Sequence, residues 1–538
     1  MPTSNKPRVL IVTEYSGLNV GYGVYANHIL TGLYNAGVEF AELAVGVDQN
    51  FLMQFGTPWK VYPSVPSDPE QKKQYDSYPN ADFGTFNYER ILLDYKPTVV
   101  VDWRDCWHWE FQLRSPLRQF YAHIGMPAVD AQPQNKQWID IYEQCDAVLG
   151  YTKWGMDLIK STSPKIKVCG VVPPYAYEAY KPTNNREELK RQLGLGNIQI
   201  AGMVGRNQKR KLFPDLFKSF SDFLQQTNKQ NVYLYVHTSY PERGWNIDDD
   251  ILKYGIQNKV LLGYICRRCR NVEIGVYQGP IATCYNCGER AKTLAGPECG
   301  FNHQQMAAVY NIMDLYIQWA NCEGYGIPIM EAAACGTPVV AVDYSAMTEV
   351  TKNTEGDLIK PLSTYTELES GREFAVPDNA ALTKYMIDFF AIPQAMRNVK
   401  RRKTRKAYEE NWKPNDVINT WIETINSVQP KRAWNEPARI ISVDGVPNNL
   451  NNQDFVRWCI INVLQEPERI GTWFETRLLR DLDWGVSPGG FGGEYYNELS
   501  ASIVNTKMQP FNREIMLHHF ASLAEKKNLW EQERVNSL

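Results

Sequence analysis

Residues 321–340, NCEGYGIPIMEAAACGTPVV, constrain the fold more than any other stretch of the chain. Glu323 and Glu331 have seven residues between them, among them Gly324-Tyr325-Gly326. Glycines without Cβ let backbone N–H groups approach a ligand closely. A helix N-terminus adds partial positive charge suited to phosphate or sugar oxygens. Residues 331–334 read as that helix, Gly336-Thr337-Pro338 as its stop, and 339–342 as a short apolar strand. With a strand at 316–319 before it, the unit is strand–loop–helix–strand, which puts a ligand at the C-terminal ends of a parallel sheet.

The same alternation appears upstream. Residues 9–13 (VLIVT) read as a buried strand, followed by a loop at 16–23 with three glycines, Gly21 among them, and a helical pattern at 25–34. GLNVGYG is not the GxGxxG fingerprint and gives no support to a dinucleotide site. Residues 98–101 form another strand, with DWRDCWHW at its C-terminal end; this is either a platform for a sugar or base or an aromatic corner of the core. A strand-then-loop pattern at 120–130 carries Asp130 toward the same side, with His123 in a structural role. Residues 171–182, rich in Pro and Tyr, read as a linker. The pattern restarts at 198–205, ending in Gly205-Arg206. Lys209, Arg210 and Lys211 precede a helix from about Pro214. Cations there gain nothing from the helix dipole but can meet a diphosphate, unless the run is simply a solvated loop.

Strands at 232–236 and 260–262 lead to an interruption. Cys266-x2-Cys269 and Cys284-x2-Cys287 are separated by fourteen residues, the pattern of a zinc ribbon. Four thiolates hold one tetrahedral zinc, and the metal stabilises a segment too small to own a core. Cys299 and His303 are spare candidate ligands that read rather as packing residues. The ribbon is mildly basic, compatible with touching nucleic acid. Asp248–Asp250 suit helix capping better than metal binding, and the basic run 400–406 reads as a solvated helix face.

At 538 residues the length allows several domains, and 43% hydrophobic residues supply their cores. We place an N-terminal domain at 1–180, a second at 181–428, the ribbon at 264–299 inside it, and a helical extension at 429–538, with helices at 455–465, 469–482 and 513–527 around a glycine-rich 485–493. A net charge of −3 excludes a uniformly basic nucleic-acid binder. No apolar run reaches the ~20 residues of a membrane span. The N-terminus has no signal-peptide pattern, and eleven cysteines without one fit a reducing compartment, so the expected location is the cytoplasm.

Together, the acid–Gly–aromatic–Gly–acid signature at 323–331 and VGRNQKRK at 204–211 resemble family-4-type (group 1) retaining glycosyltransferases. Asn411-Trp412 and the helix to about 428 echo the family's crossing back to the first domain. The resemblance implies an α/β protein of the GT-B fold, two Rossmann-like domains facing a cleft, and a nucleotide-diphosphate sugar as donor, with a UDP-sugar such as UDP-glucose favoured. By the same resemblance, Glu331 holds the ribose hydroxyls, Glu323 the sugar hydroxyls beside Gly324, Tyr325 and Gly326, and Arg206 and Lys211 the departing diphosphate. Gly205 and Gly21 line the donor site, Asp130 assists the acceptor near 17–23 and 103–109, and no catalytic metal is required. The zinc on Cys266, Cys269, Cys284 and Cys287 is structural.

Three features depart from the family: PYAY at 174–177 replaces its usual linker Asn-Gly-Val-Asp, the ribbon is inserted near the place where such enzymes hold the donor's base, and the last hundred residues are extra. Some bacteriophage glycosyltransferases modify hydroxylated bases in DNA, and a similar DNA acceptor, in a host cytoplasm, is the first expectation. A saccharide, lipid-linked or small-molecule acceptor is the alternative. A non-catalytic nucleic-acid-binding scaffold is a third, against which the intact acids and cations argue.

Overall fold

The computed structural model describes residues 6–461, apart from 19, 54, 55, 297, 298, 432 and 435–449, together with residue 479. The helices expected at 469–482 and 513–527 and the stretch 485–493 lie outside these residues. Of the expected helix 455–465, the described part is the helix Asn452–Cys459.

The first sheet has seven parallel strands: β1 (Arg8–Glu14), β2 (Glu39–Val45), β3 (Lys60–Pro63), β4 (Val99–Asp102), β5 (Ala122–Gly125), β6 (Ala147–Gly150) and β7 (Val168–Val171). Their order is β3-β2-β1-β4-β5-β6-β7. Parallel strands covered on both faces need continuous apolar runs, and Val9, Leu10, Ile11 and Val12 of β1 are all fully buried. The order reverses between β1 and β4, where a crevice opens at the strands' C-terminal ends. The helix Gly21–Asn35 starts four residues before the expected 25. A Cβ at Gly23 would come within 2.5 Å of the Leu18 carbonyl oxygen, so the loop can fold back on the helix only over a glycine.

The second sheet contains β8 (Gln199–Val204), β9 (Val232–His237), β10 (Val260–Cys266), β11 (Val272–Val276), β12 (Ile281–Ala282), β13 (Lys292–Leu294), β14 (Leu315–Gln318), β15 (Val339–Val342) and β16 (Asp357–Ile359). Its parallel core runs β10-β9-β8-β14-β15-β16. Strand β10 outruns β9. Antiparallel β11 pairs along its far edge, and β13 takes the edge that β9 vacates. The cysteine insertion is therefore built onto this sheet. A separate hairpin, β17 (Ser363–Thr366) and β18 (Glu373–Val376), follows β16.

The helix Pro414–Ser427 returns to the first sheet. Fully buried Trp421 packs edge-on against Trp103 at 5.7 Å and donates to the Tyr25 hydroxyl at 3.1 Å. Two expectations need correction. The basic run 400–406, on the helix Gln394–Asn411, is not wholly solvated: Arg401 is buried and donates to the carbonyls of Met313 (2.8 Å) and Cys335 (3.3 Å), while Arg405 donates to that of Ala334. They satisfy carbonyls that a helix end leaves open. Likewise Asn246, not the aspartates, caps the helix Ile247–Lys253; Asp248–Asp250 fill its first turn, where the dipole favours acids. Among the described residues no helix is long and apolar enough to cross a membrane.

Candidate active site

The C-terminal ends of the two sheets face one cleft of about 550 Å³. The first sheet's side supplies Gly21 and Asp130. The second supplies Gly205, Arg206, Lys211, Glu323, Gly324, Tyr325, Gly326 and Glu331. Residues separated by up to 310 positions in sequence thus share one space, and the walls come close at Gly324: a Cβ there would lie 3.2 Å from that of Ala128.

On the second wall the chain leaves β14 and is zipped to the 206–212 loop. Leu212 N–H donates to Trp319 (3.0 Å), Asn321 N–H to Arg210 (3.0 Å), and Lys211 bridges to Ala320. This pairing drives Arg210 and Lys211 onto Glu323, which ion-pairs with both. Gln318 Nε2 also donates to Glu323 Oε1 at 2.8 Å, and its own amide oxygen accepts from Tyr316. Burial opposes ionisation of Glu323, but the Arg210 and Lys211 charges outweigh it and hold the carboxyl below its ordinary range. Arg206 is different. It is exposed, and its Nε donates to Glu242 at 2.9 Å.

The helix Ile327–Ala334 begins four residues before the expected 331, because Pro328 sits comfortably in a first turn. Gly326 caps it at a φ of 92°, a left-handed conformation suited to glycine. Glu331 then lies one turn in, accepting from the Tyr310 hydroxyl at 2.7 Å. Burial pushes its carboxyl up to about 7, only partly offset by the Tyr310 and Tyr180 hydroxyls.

The aromatic corner resolves mainly as core. Trp103 and Trp109 are fully buried, the first donating to Thr13 Oγ1 at 2.7 Å and the second stacked on His123. Only Trp107, 43% exposed, reaches the cleft, beside Trp138 at 5.4 Å. His123 is buried against Gln112 at 2.9 Å and stands away from the cleft lining. Asp130 faces the cleft but is ion-paired with Arg372. Asp105 also faces it, accepting from the Tyr22 hydroxyl at 3.2 Å. Burial, then the charge of Asp130, pushes Asp105 up to about 6.

Sequence reasoning assigned no individual role to Arg210, Gln318, Tyr310, Asp105 or Arg372. Arg210 and Asp105 stood inside motifs already singled out. The other three carry no local signal.

The Sγ atoms of Cys266, Cys269, Cys284 and Cys287 all lie within 4.8 Å of one another. Cys266 to Cys287 and Cys269 to Cys284 are each 3.6 Å apart. Tetrahedral zinc with bonds of about 2.3 Å spaces its sulfurs by about 3.8 Å, so the set fits that ion. Cys299 stands outside it, accepting from Arg270 at 2.8 Å, and His303 packs on Tyr177 at 3.7 Å. None of the four cysteines lines the cleft.

Residues 299–405 match the family described as glycosyl transferases group 1. No curated protein matches the chain in sequence. Among solved structures the chain is similar to a glycosyltransferase from Rickettsia africae (13% identity, TM-score 0.55, covering 79% of this chain and 98% of the other). It is also similar to sucrose-phosphate synthase from Thermosynechococcus elongatus (15%, 0.57, 78% and 98%). A third is Anabaena HepE in complex with UDP and glucose (12%, 0.54, 78% and 100%). The architecture is GT-B, and the matched segment holds the Glu323–Glu331 signature.

Proposed function

We propose that this glycosyltransferase moves a sugar from a nucleotide-diphosphate sugar, a UDP-sugar, to a hydroxyl acceptor with retention of configuration. One observation carries the reading: Arg206, Arg210, Lys211, Glu323 and Glu331 converge with a glycine-led helix start on one cleft wall, opposite Asp105 on the other. HepE, of the same fold, is described with UDP and glucose, which supports the donor class.

In this reading the cations stabilise charge as it develops on the departing diphosphate, where a prepositioned field does most for the rate. A carboxylate offers about four acceptor directions. Glu323 uses three, on Lys211, Arg210 and Gln318, and the remainder takes a donor-sugar hydroxyl. Glu331 accepts the ribose diol. Asp105 orients the acceptor hydroxyl, since Asp130 is committed to Arg372. Bound zinc would stabilise the insertion through its four cysteines, outside the reaction. We keep the division proposed from the sequence as part of this reading: domains at 1–180 and 181–428, an insertion at 264–299 and an extension at 429–538.

The acceptor is proposed to be a hydroxylated DNA base, supported by Arg267, Arg268 and Arg290, all exposed on the ribbon, and by Tyr285, 77% exposed on the same insertion. A saccharide is the second reading. The Trp107–Trp138 pair with Asp105 favours it, because carboxylates bind diols and repel phosphates. Labelled UDP-glucose offered with hydroxymethylated DNA, plain DNA and oligosaccharides separates them. Label on hydroxymethylated DNA alone supports the first; label on saccharide alone overturns it. Anomeric configuration of the product, read by NMR, tests retention.

A further inference from the structure

The β17–β18 hairpin belongs to the donor side of the chain but spends polar groups on the acceptor wall. Glu373 N–H donates to the Gln132 carbonyl at 2.7 Å, and Arg372 pairs with Asp130. The Arg372 guanidinium lies 5.0 Å from the centre of the Trp138 ring, and its Nε donates to Ser370 Oγ at 3.0 Å. The two paired side chains are only 14% and 23% exposed. On its other side the hairpin is tied to the donor motif. Ala375 N–H donates to the Asn321 carbonyl at 3.0 Å, and Asn321 Nδ2 donates to the Tyr365 hydroxyl at 3.1 Å. Glu323 is two residues further on. One hairpin therefore joins the loop that carries Glu323 to the loop that carries Asp130.

A guanidinium bonded to a carboxylate and stacked on a ring has little freedom left. Its partner is held with it, and losing either member of a largely buried pair costs more than losing a surface one. We propose that Arg372 is a positioning residue: by holding Asp130, it fixes the 127–134 loop at its working distance from the donor motif, and the hairpin is the clasp that sets the acceptor wall. This rests on reading the cleft as a sugar-transfer site. Asp130 serves transfer by being held, and Asp105, bonded to the Tyr22 hydroxyl, is the acceptor-side carboxylate that takes the acceptor.

The full-length protein tests this with Arg372→Ala, Arg372→Lys, Asp130→Asn and the Ala/Asn double variant. Hydrogen exchange in peptides spanning 127–138 should rise about tenfold or more in Arg372→Ala and Asp130→Asn, and no further in the double variant, because both remove one interaction. Arg372→Lys should recover part of the protection. With UDP-glucose and water as the acceptor, kcat should fall about tenfold while KM stays within about twofold, the signature of lost positioning without lost donor binding.

Glu349→Ala is the control, since Glu349 makes a different contact between the lobes by capping Lys153 N–H (3.0 Å) and Trp154 N–H (2.7 Å). Unchanged exchange at 127–138, additive single variants, or an equal effect of Glu349→Ala overturns the clasp. If the wild type does not bind UDP-glucose, the transferase reading fails, while the exchange experiment still decides the clasp.

Discussion

Raising the pH should tighten donor binding through one buried group, Glu331. Its carboxyl is pushed from the ordinary 4.5 up to about 7 by burial. A ribose diol donates two hydrogen bonds and needs the ionised acceptor. If only that form binds, the apparent affinity for UDP-glucose scales with its ionised fraction. Between about pH 6 and about pH 8 that fraction climbs roughly tenfold, equivalent to about 1.4 kcal/mol. UDP-glucose suits the assay because its diphosphate diester does not titrate in this window. Calorimetric titration should show the tenfold tightening in the wild type and a flat, weaker profile in Glu331→Gln. A flat wild-type profile, or an unchanged slope in Glu331→Gln, would refute the assignment. The same shift acts on folding. The folded-state value exceeds the unfolded one, so this contribution to stability is complete below about 4.5 and is lost as pH rises through about 7, an effect on the order of 3 kcal/mol.

Arg206→Ala and Lys211→Ala should both cut transfer by about 10²-fold or more, because each removes charge from the leaving group. They should differ in stability. Exposed Arg206 should cost under about 1 kcal/mol, whereas Lys211, 6% exposed and locked to Glu323, should cost on the order of 2 kcal/mol by thermal unfolding. Equal melting shifts would contradict the burial argument. Metal analysis should give about one zinc per chain, and Cys284→Ser should lose it and lower the melting temperature; an inert Cys284→Ser without metal loss sinks the site. Trp421→Ala should cost about 3–5 kcal/mol, since it empties the contact with Trp103 and Tyr25 that ties the helix Pro414–Ser427 to the first sheet.

Much of this was legible from local pattern. Buried parallel strands are short apolar runs, and the glycines that end them mark the loops at the cleft, while the resemblance to group 1 glycosyltransferases is what paired residues 205–211 with 323–331. The start of the helix Ile327–Ala334 was less legible because Ile327, Ile329 and Met330 suit a helix or a buried strand equally. The Trp103–Trp109 segment could not be divided from sequence, because facing depends on what packs above: His123 and Trp421 take two of its indoles, and only Trp107 reaches the cleft. Arg401 looked like part of a solvated run because its carbonyl partners lie 66 and 88 residues away. Arg372 carried no signal for the same reason; its partner Asp130 is 242 residues distant. Local chemistry announced the donor wall, whereas long-range contacts built the acceptor wall.

The whole reading stands on this cleft being a donor site for a nucleotide-diphosphate sugar, and a crystal structure of the protein with UDP decides it. The ribose should lie on Glu331, and the diphosphate among Arg206, Arg210 and Lys211 at the turn of Gly324 and Gly326. UDP bound elsewhere, or no UDP bound at millimolar concentration, would contradict it.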